Sequence, residues 1–156
     1  MLPRRPITTL SAIAVLAAPL TACGPLLPGA TVGHVVVQWD EATHDLSGFD
    51  KRAPVRIIAT EEDWLDWLEE LPPAMRDANG AAVEQVDLDD SVLLVAAWPR
   101  CTEVASVEDG GGGAVRFALH DPEPETMCAW SPTQVQVWDL PLSQLGVERG
   151  EVHLVP

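Results

Sequence analysis

The chain has 156 residues, with 9 Lys and Arg against 24 Asp and Glu, a formal charge of −15. That length accommodates one domain, and the acidity argues against a nucleic-acid partner, whose phosphates call for a basic surface. Hydrophobic residues make up 47% and charged residues 21%, a globular rather than a disordered balance.

Arg4 and Arg5 precede an uncharged, mostly apolar run from Ile7 to Leu20. A run of 14 residues has the length of a signal-peptide core and is short for a bilayer span. It leads into Leu20-Thr21-Ala22-Cys23-Gly24, which resembles the bacterial lipobox. The resemblance implies that residues 1–22 are a signal peptide and that Cys23 is the lipidated first residue of the mature protein. Two or more acyl chains hold a protein on a membrane stably where one does so only marginally. The expected location is therefore the extracytoplasmic face of the cell membrane, with the membrane itself as a partner through the lipid. Cleavage before Cys23 leaves 134 residues with 7 basic and 24 acidic side chains, a charge of −17. A single Lys, a single Asn and no Tyr beside eight Arg and 14 Pro resemble the usage of a high-G+C genome.

Cys23 and the Pro/Gly-rich stretch up to Gly33 read as a lipidated tether, which spans at most about 33–36 Å when extended. A single β-rich domain is expected over residues 34–156. From His34, Val35, Val37 and Trp39 alternate with polar neighbours and predict a strand; Val55–Ala59 predicts a second. Thr60-Glu61-Glu62-Asp63 resembles a capping box with Asp in the third position. It opens a helix whose Trp64, Trp67, Leu68 and Leu71 share one apolar face, and Pro72-Pro73 ends it. Glu62, Asp66 and Glu70 repeat on the opposite face, a solvated acidic surface or a docking face for a basic partner.

Residues 74–86 read as a connection. Val92–Trp98, apolar on both faces, predicts a central strand. Strands over 102–108 and 115–120 flank the glycines at 110–113 as a hairpin. Val135 and Val137 alternate with Gln134, Gln136 and Trp138 in a further strand, Pro141–Leu145 reads as one helical turn, and Val152 and Leu154 suggest a short last strand. The fold class that follows is mainly β (α+β): a small antiparallel sandwich or barrel-like sheet with one packed helix over about residues 60–71.

With Cys23 assigned to the lipid, Cys101 and Cys128 remain. An even pair in an exported chain predicts a disulfide. No catalytic motif is present: there is no G-x-S-x-G, and the four histidines are scattered. Asp87, Asp89 and Asp90 invite a calcium reading, but an EF-hand-like loop would continue with Gly and Glu at fixed offsets, whereas Ser91 leads straight into an apolar strand. No metal and no cofactor are expected.

Tryptophan is the unusual composition. Trp39, Trp64, Trp67 and Trp98 read as core. Trp138 alternates with glutamines and could stand exposed, and Trp130 lies on the loop beside Cys128. A surface around Trp130 and Trp138 is the candidate interaction site, the alternative being a second small core beneath that loop.

The order of a strand, "IIATEEDWLDWLEEL", "VDLDDSVLLVA", a glycine-turn hairpin and "PTQVQVWDLP" resembles the PrcB-like domain over about residues 55–140. That domain occurs in exported bacterial proteins related to a subunit of a surface protease complex. Where that family tends to have a Gly-rich segment after the central strand, this chain has Trp98-Pro99-Arg100-Cys101. The resemblance implies a small non-catalytic β domain that binds or stabilises another protein. The expected function is thus a membrane-anchored, non-catalytic protein-binding or stabilising module of the cell envelope. The alternatives are a small envelope hydrolase using carboxylates and an ion- or solute-binding lipoprotein.

Overall fold

The computed structural model describes residues 29–83 and 85–156. The expected signal peptide and Cys23 lie outside them. The chain forms β1 (His34–Asp40), β2 (Arg56–Ile58), α1 (Glu61–Glu70), α2 (Pro73–Ala78), α3 (Gly80–Val83), β3 (Ser91–Pro99), β4 (Val104–Gly111), β5 (Ala114–His120), β6 (Thr133–Pro141), α4 (Leu142–Leu145), a 3₁₀ turn (Arg149–Glu151) and β7 (His153–Leu154). No described helix is long and apolar enough to cross a membrane.

Two sheets face each other. One has the order β1-β6-β3-β2, with every neighbouring pair antiparallel. The other has the order β4-β5-β7, with β4 antiparallel and β7 parallel to β5. The architecture is a small sandwich carrying helices on one outer face, and not a closed barrel. Period-two alternation sorts the side chains of the four-stranded sheet onto its two faces. Leu93, Val95, Val135 and Val137 meet Trp64, Trp67, Leu71 and Met75 of the helical layer. Val92, Leu94, Ala96, Trp98 and Trp138 meet Val107 and Val115 of the second sheet.

On the helical side the tryptophans pack on one another. Trp64 and Trp67 stack with centroids 5.2 Å apart, and Trp39 meets Trp67 edge-on at 6.2 Å. The Trp39 indole N–H donates to the Met75 carbonyl at 2.7 Å. Thr60 caps α1 by accepting the Asp63 N–H at 3.1 Å. The box is only half formed, because the Asp63 carboxylate accepts from the Thr60 hydroxyl instead of reaching back to backbone.

Three features depart from the sequence reading. Pro73 does not merely stop a helix: it occupies the first turn of α2, where its missing N–H costs nothing, so the expected connection over 74–86 contains two short helices. Part of the expected tether is also folded. Asp109 N–H donates to the Ala30 carbonyl at 2.9 Å, Val32 N–H donates to the Val107 carbonyl at 2.8 Å, and Val32 is buried between the sheets. Packing therefore begins by Gly29, not at His34. The third departure is Trp138, described below.

Candidate functional site

The hairpin β4–β5 has two ends of different character. At the turn end, Gly111, Gly112 and Gly113 all have positive φ, which only glycine adopts without strain. Gly29 and Ala30 pair with Asp109 beside that turn. The opposite end, five residues or roughly 17 Å along β4, is where Cys101 and Cys128 are joined, with Cα atoms 5.8 Å apart.

The disulfide staples the segment Asp121–Trp130, exposed throughout, to the start of β4. Around it a short polar network fixes the backbone. The Thr102 hydroxyl donates to Asp121 at 2.5 Å, Glu123 N–H donates to the same carboxylate at 2.9 Å, and Cys101 N–H donates to Glu103. Arg100 N–H donates to the Pro132 carbonyl at 2.8 Å and closes the far side of the loop. The Thr102 hydroxyl, then the Glu123 amide, hold the Asp121 carboxyl below the usual aspartate range. Glu41 is lowered in the same way by Lys51 and by the Thr133 amide, which donates to it at 2.8 Å.

Five large apolar side chains are exposed among the described residues, and four of them lie at this end: Val104 at 56%, Leu119 at 46%, Met127 at 95% and Trp130 at 60%. The fifth is Leu65 on α1. Single exposed apolar residues are ordinary. Val104 and Leu119 leave opposite faces of the hairpin, since Ala105 and not Val104 pairs with Leu119, whereas Met127 and Trp130 stand together on the stapled segment.

Trp130 stands exposed on the stapled loop, but Trp138, the tryptophan whose alternation with glutamines suggested exposure, is not: it retains 7% exposure in the inter-sheet core. The physical reason is topological. β6 lies between β1 and β3, so the second sheet covers the face that bears its glutamines and Trp138. A polar alternation that would mark the solvent side of an edge strand here marks the wall of a cleft.

That cleft, about 280 Å³ in volume, opens between β1 and β4. It is lined by Val35, Gln38, Trp98, Arg100, Glu103, Val104, Ala105, Gln134, Gln136 and Trp138. It exists because the chain changes sheets at Gly33. Residues 29–32 pair with β4, whereas β1 pairs with β6, so β1 and β4 diverge toward the disulfide end. Gln134 is 2% exposed on the floor. The Trp138 indole donates to Gln136 Oε1 at 3.1 Å, and Gln136 Nε2 donates to Gln38 Oε1 at 2.7 Å.

A larger hollow, about 620 Å³, lies between α1 and residues 85–89, with Arg149 on its rim. Asp87 and Asp89 belong to that rim, and among the described residues no group of three His, Cys, Asp or Glu is placed to hold a metal ion. The exposed face of α1 carries Glu62, Asp66 and Glu70, and Glu70 pairs with Arg56 at 3.1 Å. Asp45 is likewise held below the usual aspartate range, by the hydroxyl and then the amide of Ser47. No family profile, curated protein or solved structure matches the chain.

Proposed function

We propose that this protein is a lipid-anchored, extracytoplasmic module that binds another protein of the cell envelope and carries out no chemistry of its own. The observation that supports it is the exposure of Met127 and Trp130 on the segment that the Cys101–Cys128 disulfide staples to the start of β4. A disulfide holds a solvent-exposed segment in one shape before any partner arrives, which lowers the ordering cost of association. Exposed Trp and Met are the side chains that anchor interfaces, and the acid excess of the chain favours a partner with a basic rim. The lipobox-like Leu20–Cys23 supplies the anchor in this reading, and the resemblance of residues 55–140 to the PrcB-like domain is in keeping with it.

Site-specific photocrosslinking from position 130 on intact cells tests the binding. A discrete adduct is expected, and Met127→Ala should weaken it. A smear of unrelated products, or an adduct indifferent to Met127, would count against the surface. For the anchor, Cys23→Ala should be released from the membrane or left unprocessed. A variant that stays membrane-bound at the normal mature size would overturn it.

A further inference from the structure

The cleft between β1 and β4 presents groups of one chemical kind. In β4, Val107 C=O accepts from Val32, while Asp109 uses both its N–H and its C=O on residues 29–30. These residues therefore turn their backbone away from β5. Alternation along a ladder with unbroken register from Val104 to Asp109 gives Ala105 the same orientation. Its N–H and C=O continue the edge on which Gly29–Val32 is already paired, at the point where that segment has left for the other sheet. No other described residue takes them up.

Gln38 stands across the cleft, and its orientation is determined. An indole N–H only donates, so Gln136 must accept from Trp138 with Oε1 and give Nε2 to Gln38 Oε1. Gln38 is left with its NH₂ as an outward donor, in a wall that also carries Gln134 and Gln136. A backbone edge on one side and carboxamides on the other are complementary to peptide groups.

Arg100 and Glu103 line the mouth, Asp40 lies 3.9 Å from Arg100, and Asp121 accepts from Thr102, between Arg100 and Glu103 in sequence. This excess of acid selects a basic occupant and opposes self-pairing of two such acidic ends. Val104 lines the cleft, and with Met127 and Trp130 on the adjoining stapled segment it offers contacts for apolar side chains.

We infer that this cleft takes an extended, basic peptide segment of the protein partner, which adds to the free edge of β4 at Ala105 and is held across from it by Gln38 and Gln136. The inference rests on the protein-binding reading and specifies how the partner is gripped. The binding mode is strand addition, with main-chain hydrogen bonds supplying affinity and alternate side chains supplying selectivity.

The test uses the full-length protein in detergent micelles, ¹⁵N-labelled. It is titrated with a pool of capped heptapeptides that carry Lys or Arg at alternate positions and varied apolar residues between them. Binding should slow exchange of the Ala105 amide at least tenfold and shift the Gln38 and Gln136 side-chain amides. N-methylation of alternate residues in a selected peptide should weaken it at least tenfold in one of the two registers. Gln136→Ala should weaken binding similarly. Ala105→Pro should also do so with an unchanged circular dichroism spectrum, since no described residue takes up the N–H it removes.

Absence of binding up to millimolar peptide, or binding that ignores N-methylation and both substitutions, overturns the inference. So does a dimer that Ala105→Pro dissolves, because the occupant would then be a second copy. If the crosslink from position 130 persists in the Ala105→Pro and Gln136→Ala variants, the protein-binding reading stands and strand addition falls.

Discussion

Asp121 shows how much of the loop's shape depends on a single carboxylate. It accepts from the Thr102 hydroxyl and from the Glu123 amide, and both favour its charged form. Its folded pKa is lowered, so its contribution to stability is complete above the unfolded value near 3.9 and is lost as pH falls through the lowered value. The carbon resonance of the Asp121 carboxyl should titrate below that reference, and Thr102→Val should move the midpoint back up toward it. A midpoint unchanged by the substitution would show that the Thr102 hydroxyl is not the cause. Gly33 is a second residue with a sharply defined role. Its φ is +71°, and a Cβ there would run into the Asp139 carbonyl and the Leu140 side chain. Gly33→Ala should therefore cost about 2 kcal/mol or more, read as a lower denaturation midpoint; an unshifted midpoint would mean that the change of sheets tolerates a side chain.

Among elements, α1 was legible in place and in buried face, though only half of its capping box forms. Thr60, the acidic first turn and the Trp64/Trp67 stripe all lie within one short window, where local physics decides. Thr60→Ala should destabilise by about 1 kcal/mol, and Thr60→Ser should restore most of it; equal stabilities by denaturant titration would show that tertiary packing alone fixes the start of the helix. The hairpin β4–β5 was legible for the same reason, through its glycines. β6 was legible as a strand but not as an interior one. Gln134, Gln136 and Trp138 carry the local mark of a solvent-facing row, and only the non-local arrival of β1 on one side and β3 on the other turns that row inward. The cleft was invisible for that reason too, since its walls come from β1, β3, β4 and β6. Sequence could name Trp130 from its place beside Cys128, but not Leu119, which is on the inner face of its hairpin and is exposed only because the opposite sheet does not cover it.

Across the whole molecule, the staple closes a segment of sequence separation 27. In the chain-entropy account a loop of that size is worth about 3–4 kcal/mol. Replacing Cys101 and Cys128 together by Ser should lower the denaturation midpoint accordingly and open residues 121–130 to proteases, while the four-stranded sheet keeps its tryptophan environment. A double variant with the parent's midpoint and protease resistance would mean that Thr102, Asp121 and Arg100 hold the loop unaided. The pairing of these two cysteines followed from counting, because a disulfide is a constraint between residue types, whereas the sandwich's division into two cores required the observed topology.

The path of the chain from Gly29 to Asp40 has a mechanical consequence. It starts beside the hairpin turn, runs along β4, changes sheets at Gly33 and continues along β6 to the stapled end. Hydrogen bonds in a ladder lie across the strands. A load applied between the N-terminal side of Gly29 and a partner held at Trp130 would therefore pull nearly parallel to this path. It would stretch many of those bonds together in shear and would not peel them apart one by one. In the proposed arrangement, with an anchor at one end and a partner at the other, load would thus fall along the line in which these ladders resist shear.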